Sequence, residues 1–186
     1  MFEEIESEVL FGASGNSLAA LKSGWSSPEP EFCWAIGLES LVVLPPPPAA
    51  IRYQLVLTVR PHLRRPTLNK QVLIVAVNDL IVSSTEIFED MSISCEIPLV
   101  AVALSDTLKI RLIHPNGASP RQVAGLPDDR ELSVALERIA LTCFGKLSDL
   151  SGQRSGSASK GNVPGLTVDP STDQAAEPGV TRGRTM

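Results

Sequence analysis

The residues best suited to chemistry in this sequence form the run Asp128, Asp129 and Arg130. A planar guanidinium beside two carboxylates can bind adjacent sugar hydroxyls, and carboxylate oxygens can also coordinate Ca²⁺. The same run is also consistent with an ion pair that only holds a loop in place. The sequence therefore offers a candidate loop for binding hydroxyls or a structural Ca²⁺. It indicates no other cofactor and leaves open whether a metal binds.

Tryptophan supplies a second candidate feature, because an indole ring can serve as an apolar platform for a ligand. Aromatic residues make up only 4% of the chain, and the two tryptophans are Trp25 and Trp34. Trp25 lies in the loop sequence GWSSPEPEF, where it either contacts a ligand or caps the end of the fold. Trp34 begins a strand-like segment, which favours a position in the core over a ligand contact.

Nucleophilic catalysis is not indicated. Ser14 and Ser17 lie in the stretch FGASGNS, which lacks the spacing of a nucleophile elbow. Only His62 and His114 could act as bases. His114 continues the alternation of a strand, which predicts a hydrogen-bonded histidine at the strand end, and His62 lies in a basic loop, which predicts a solvated surface histidine. We therefore expect a protein that is not an enzyme.

Short strands would position these residues. The segment RYQLVLTVRP alternates apolar and polar residues with a period of two, which is typical of a sheet with one buried face. QVLIVAVND is almost continuously apolar, which predicts a strand covered on both faces, and its Asn78 and Asp79 predict a tight hairpin turn. Further strands are predicted in Cys33 to Leu44, LIVSS, ISCEIP and TLKIRLIHP.

The segment ELSVALERIAL is ambiguous between a helix and a strand. Leu132, Leu136, Ile139 and Cys143 fit a helical stripe, whereas Leu132, Val134 and Leu136 fit the alternation of a strand. Propensity alone favours the helix, and the residues leave both alternatives open.

Length and charge restrict the class of protein. A chain of 186 residues, 43% of them hydrophobic, fits one globular domain with a tail. The net charge of -5 argues against binding to nucleic acid. The amino terminus lacks the pattern of a secretory signal and the longest apolar stretch is broken by prolines, so we expect a cytoplasmic protein without membrane insertion. The three cysteines, Cys33, Cys95 and Cys143, have no metal-binding spacing and are expected to be buried free thiols.

Domain boundaries follow from composition. We expect an acidic lead at residues 1–8, a β-sandwich domain at 9–144 and a disordered carboxy-terminal tail at 145–186, because the tail is rich in Gly, Ser, Pro and Asp and poor in large apolar residues.

Taken together, FGxxGNS, GWSxPExxFxW, the QVLIVAVND strand and HPxxxSPxxxxGxxDDRxLSxALxRIxL resemble a bacterial β-sandwich module associated with glycosyltransferases and envelope polysaccharides. The resemblance covers Val9 to Leu141 and extends to the galactose-binding-like jelly rolls of carbohydrate-binding domains. It implies an all-β jelly-roll β-sandwich and a final strand at Glu131 to Leu141. It also implies ligand-binding roles for a set of loop and strand residues, namely Trp25, Glu29, Trp34, Asp128, Asp129 and Arg130.

Two functions are therefore expected from the sequence. The first is non-catalytic recognition of a glycan, or support of a glycan-building enzyme, with a glycan or a glycosyltransferase as the partner. The second is a structural or interaction module that assembles with itself or with a glycosyltransferase. The oligomeric state stays open.

Overall fold

The computed structural model describes residues 5–103 and 105–146. This part of the chain contains nine β-strands, two short α-helices and a 3-10 turn at Ser17–Ala19. The strands are β1 Ile5–Leu10, β2 Cys33–Ile36, β3 Glu39–Leu44, β4 Ala50–Pro61, β5 Gln71–Val77, β6 Leu80–Ile87, β7 Met91–Ile97, β8 Leu108–Ile113 and β9 Leu132–Lys146, and the helices are α1 Leu99–Val102 and α2 Pro120–Ala124.

The strands form two antiparallel sheets. One sheet has the order β1-β9-β4-β7, with β2 also paired to β9, and the other has the order β3-β8-β5-β6. The pairs are nested: β5 pairs with β6, β4 with β7, β3 with β8, and both β1 and β2 with β9. A long hairpin rolled into two facing sheets produces this connectivity, which is that of a jelly roll. The expected all-β jelly-roll β-sandwich is therefore confirmed.

Alternate residues of the facing strands fill the core. Leu55 and Leu57 of β4, Val75 of β5 and both Ile110 and Leu112 of β8 are fully buried. Burial of one such side chain contributes about 1.5 to 3 kcal/mol, so this layer supplies much of the stability of the sandwich. The predicted cover on both faces of β5 is wrong for its outward residues, because Val72 and Ile74 are only half-buried.

The predicted turn between β5 and β6 is confirmed. Asn78 and Asp79 have φ angles of 45° and 69°, the left-handed pair that a two-residue hairpin turn requires. The Asn78 side chain accepts a hydrogen bond from the Lys109 amide at 2.8 Å and donates one to the Ala101 carbonyl at 2.6 Å. Its amide group therefore ties the turn to β8 and α1.

The ambiguous segment is a strand, as the resemblance implied. It forms the first part of β9, which pairs with β1 and β2 along one edge and with β4 along the other. The pairing with β4 shifts register between Thr58 and Val59, which lie opposite Arg138 and Leu136. Glu137 is thus an extra residue, a β-bulge in the centre of the sheet.

The sandwich is longer than predicted at both ends. β1 begins at Ile5, inside the segment predicted as an acidic lead, and β9 continues through Gly145 to Lys146. Both boundaries of the predicted 9–144 domain are corrected by these strands. The rest of the predicted tail, residues 147–186, lies outside the described residues.

The loop before β2 packs closely against β3, and a matched pair of glycines tests this contact. Gly24 and Gly37 have φ angles of 76° and 75°, which costs another residue about 1 to 2 kcal/mol. A Cβ at Gly24 would also overlap the Glu39 carbonyl oxygen and lie 2.8 Å from the Ser40 Cα, whereas at Gly37 it would meet no atom within 4 Å. We expect Gly24→Ala to lower the free energy of unfolding in urea at least twice as much as Gly37→Ala. Equal losses would contradict this close approach.

Candidate functional site

The two tryptophans lie on opposite faces of the sheet that contains β2. Ser26 donates its backbone N–H to the Trp34 carbonyl at 3.0 Å, and Trp25 pairs with Ala35 in an antiparallel bridge. Ala35 is fully buried in the core, so its partner Trp25 faces inward. Side chains of successive strand residues point to opposite faces, so Trp34 points outward.

Trp25 is part of the packing around the core. Its ring lies 5.3 Å from that of the fully buried Phe11, and its indole N–H donates to the Leu41 carbonyl at 3.0 Å. The structure therefore gives Trp25 the capping role that the sequence left open.

Trp34 belongs to an aromatic group on the outer face. Its ring meets the rings of Phe32 and His62 edge to face, with centroid separations of 5.4 Å and 5.8 Å. Trp34 is half-buried, and the core cluster does not include it. The expectation that Trp34 packs mainly in the core is therefore wrong, and its role as a ligand contact stays a prediction.

Arg60 links this aromatic group to the bulge in β9. Its guanidinium lies 4.9 Å from the centre of the Phe32 ring. The same group forms ion pairs with Glu137 at 2.6 Å and with Asp90 at 3.3 Å. Because the bulge adds one residue to β9, the Glu137 side chain lies on the outer face beside Arg60.

Arg130 joins two loops, and its partner Asp128 lies close enough to the aromatic group for its charge to act on His62. It binds Asp128 through its Nε at 3.1 Å and its Nη2 at 2.7 Å, and its Nη1 lies 3.8 Å from a Glu29 carboxylate oxygen. Hydrogen bonds from the Arg130 side chain and backbone lower the pKa of Asp128 to about 2. Three of the predicted site residues, Glu29, Asp128 and Arg130, therefore lie together, and Asp128 stays ionised at all ordinary pH values.

Asp129 lies apart from this group. Its carboxylate pairs with Arg121 of α2 at 2.5 Å, and its side chain is 72% exposed. The short helix begins with a capping box between Ser119 and Gln122. The role of Asp129 visible in the structure is the loop-holding ion pair that the sequence analysis gave as the alternative.

His62 is buried, so the expected solvated position is wrong. It is 8% exposed, and its Nε2 has no hydrogen-bond partner among the described residues. Its backbone N–H donates to the Ser133 carbonyl at 2.7 Å, and its carbonyl accepts from the Gln71 side chain at 2.7 Å. Gln71 and Ser133 are fully buried and bonded to each other. This network holds His62 under Trp34, and burial lowers its pKa.

His114 matches its predicted role. It is fully buried, and its Nε2 lies 2.9 Å from the Ser40 hydroxyl. Burial lowers its pKa. The three cysteines are buried free thiols, as predicted, and burial raises the pKa of Cys95 to about 11, which makes it a poor nucleophile.

These contacts define one candidate site, which we call the Trp34 surface. It consists of aromatic side chains on the outer face of the sheet and charged side chains around them, namely Phe32, Trp34, His62, Arg60, Glu137, Glu29, Asp128 and Arg130.

Sequence reasoning did not assign Phe32, Arg60, His62 or Glu137 to the site. The alternation of β4 was the one available signal, because continuing it past the strand end places Arg60 and His62 on the same face.

Within residues 5–103 and 105–146, no group of three or more His, Cys, Asp or Glu side chains is arranged to hold a metal ion. None of the helices in the same ranges is long and apolar enough to span a bilayer.

Comparison with known proteins finds similarity in structure only. No family model matches the sequence, and no curated protein matches it. Among solved structures, the chain is similar to the CBM36-1 domain of a multidomain xylanase from the hindgut metagenome of Trinervitermes trinervoides, with 9% identity and a TM-score of 0.45 over 74% of this chain and 96% of that one.

Two further structures show the same level of similarity. The C-terminal CBM6 of LamC from Zobellia galactanivorans has 9% identity and a TM-score of 0.40, covering 74% of this chain and 99% of that one. Dimeric latent PorU from Porphyromonas gingivalis has 9% identity and a TM-score of 0.46, covering 78% of this chain and 13% of that one. The jelly-roll assignment rests on the strand pairing within this chain.

The two buried histidines predict a pH dependence of stability. Both have a pKa below the ordinary 6.5, because burial disfavours the charged form. The unfolded chain therefore binds more protons below about pH 7, and the free energy of unfolding should fall as the pH drops through 6.5. We expect His62→Gln and His114→Gln each to flatten this fall in urea titrations across that range. An unchanged slope in both variants would contradict the assignment.

Proposed function

We propose that this chain is a non-catalytic module that recognises a carbohydrate through the Trp34 surface. The observation that carries the proposal is the position of a half-buried indole on an outer sheet face, next to guanidinium and carboxylate groups that are already held by ion pairs. The proposal keeps the recognition function expected from the sequence and replaces Trp25 with Trp34 as the platform.

The chemistry of the surface suits a sugar. The Trp34 ring offers an apolar face to the C–H groups of a pyranose, while sugar hydroxyls both donate and accept hydrogen bonds. Carboxylates of Glu29 and Asp128 accept, and the remaining N–H groups of Arg130 donate. One ring and a few solvent-competing hydrogen bonds give about 4 to 6 kcal/mol, a Kd from about 1 mM to tens of micromolar.

The electrostatics of the site favour binding over catalysis. A glycosidase needs one carboxyl group that holds a proton near neutral pH, and its pKa is therefore raised. At the Trp34 surface the pKa of Asp128 is instead lowered to about 2 by hydrogen bonds from Arg130. Asp128 is thus suited to accept hydrogen bonds from a ligand and unsuited to act as a general acid.

Several finer expectations remain predictions. They are the association with glycosyltransferases and envelope polysaccharides, the cytoplasmic location and the candidate structural Ca²⁺. A parallel binding experiment with a chelator tests whether Ca²⁺ is needed. A loss of binding that added Ca²⁺ restores would support the metal site.

A glycan array probed with the full chain tests the proposal. We expect specific binding to a subset of glycans, and Trp34→Ala should weaken it at least tenfold, about 1.4 kcal/mol, because the platform is removed. Isothermal titration with the best-binding glycan gives the affinity.

Phe88→Ala is the matched control for this experiment. Phe88 is 49% exposed in the turn between β6 and β7, so its loss removes a surface aromatic outside the Trp34 surface. Both variants should keep the circular dichroism of the parent. An array without binding, or binding that survives Trp34→Ala, would overturn the proposal.

A second candidate function is self-assembly through the edge strand β6. This strand is the last of its sheet and pairs only with β5 among the described strands. It contains no proline, lysine or arginine, and Ile81 is 63% exposed. The opposite edge strand, β3, is covered instead. The backbone N–H of Lys22 donates to the Leu41 carbonyl, and the backbone N–H of Val43 donates to the Ala20 carbonyl. An uncovered edge of this kind is a template for pairing with another chain.

Sedimentation velocity over a wide range of concentrations tests self-assembly. We expect a dimer that dissociates on dilution, and Ile81→Lys should shift it to the monomer, because a charge on the edge opposes strand pairing. Leu38→Lys is the control, since Leu38 is 66% exposed and lies outside β6. A monomer at every concentration would exclude this function and leave glycan recognition untouched.

A further inference from the structure

Both arginines of the Trp34 surface are paired with carboxylates, and one of these, Asp90, lies at the border of the surface. Arg60 is paired with Glu137 and Asp90, and Arg130 with Asp128 and Glu29. Each guanidinium therefore faces two carboxylates. An acidic ligand that approaches either guanidinium therefore also meets two carboxylates, whose negative charges repel its own.

The remaining groups near the aromatic rings do not reverse this excess of negative charge. His62 is uncharged at neutral pH, since burial lowers its pKa. Arg64 follows β4 in an exposed loop, and its positive charge acts on His62. Counting Arg64, three cations face four carboxylates, so the surface keeps a formal negative excess.

A neutral polyol meets no such obstacle. Each hydroxyl is both a donor and an acceptor, so it can add to a guanidinium–carboxylate pair without breaking it. The outer lone pairs of Glu29 and Asp128 and the free N–H groups of Arg130 offer this alternation near the aromatic group, since the Asp128 charge acts on His62. The ion pairs also hold these groups in place before a ligand arrives, which lowers the entropic cost of binding.

Building on the proposed function, we infer that the Trp34 surface selects uncharged glycans and rejects acidic ones, with Glu29 and Glu137 as the residues that determine this specificity. The ligand class is therefore neutral oligosaccharides. Uronate-containing and sulfated glycans are rejected by the negative charges of the carboxylates that flank the two arginines.

Matched oligosaccharide pairs test the inference on the full chain. Each pair consists of a uronate-containing oligosaccharide and its carboxyl-reduced form, which keeps the linkages and loses the charge. We expect the reduced form to bind at least tenfold more tightly by isothermal titration at low salt. This gap in affinity between the reduced and the acidic form should narrow as salt is added, because screening weakens the repulsion of the acidic form.

Two substitutions refine the test. Glu137→Gln should narrow the gap by strengthening the binding of the acidic form, since one negative charge beside Arg60 is lost. Glu96→Gln is the control, because Glu96 is an exposed carboxylate of β7 outside the Trp34 surface and should leave the gap unchanged.

The outcomes separate the inference from the function on which it rests. Equal or tighter binding of acidic forms that still depends on Trp34 would overturn the charge selection and keep the proposed function. If acidic binding is lost in Arg64→Gln, that exposed cation is the contact that the inference undervalued. Absence of Trp34-dependent binding to either form would overturn both.

Discussion

The position of β9 is the constraint on which the rest of the structure depends. This strand pairs with β1 and β2 on one side and with β4 on the other. Leu136 and Ile139 are both fully buried although three positions separate them, which a regular strand would place on opposite faces. The bulge at Glu137 resolves this conflict. It also turns two successive charged residues outward, so Glu137 pairs with Arg60 and Arg138 with Glu8.

The same bulge explains which parts of the fold the sequence could predict. From Tyr53 to Val59, β4 keeps a regular period of two, which predicts the strand directly, and the Asn78 and Asp79 pair predicts the turn between β5 and β6 by local chemistry alone. The β9 segment mixes two phases of alternation, and the three-residue step between them resembles a helical repeat. Its strand state depends on long-range pairing, which no local pattern contains, so only the family resemblance indicated it.

The candidate site was likewise predictable only where local sequence places its residues together. Glu29, Asp128 and Arg130 were predicted and lie together, because a short loop holds Asp128 next to Arg130 and one ion pair adds Glu29. The sequence left the role of Trp25 open and favoured the core for Trp34, which instead lies on the outer face. Which of two tryptophans faces the core depends on how their backbones pair, and that information is absent from residue type. Arg60, Phe32 and His62 were missed for the same reason, since they meet only across strands.

The Trp34 surface combines a rigid floor with charged loops. Its floor is held by backbone pairing and by the buried network of Gln71, Ser133 and His62. The ion pairs above it are 28% to 42% exposed at Arg130, Asp128 and Glu29, and exposed pairs of this kind contribute little to the free energy of unfolding. Their physical effect is to fix the orientation of donors and acceptors beside an aromatic ring. Such an arrangement adds little stability, which agrees with the proposed role in ligand recognition.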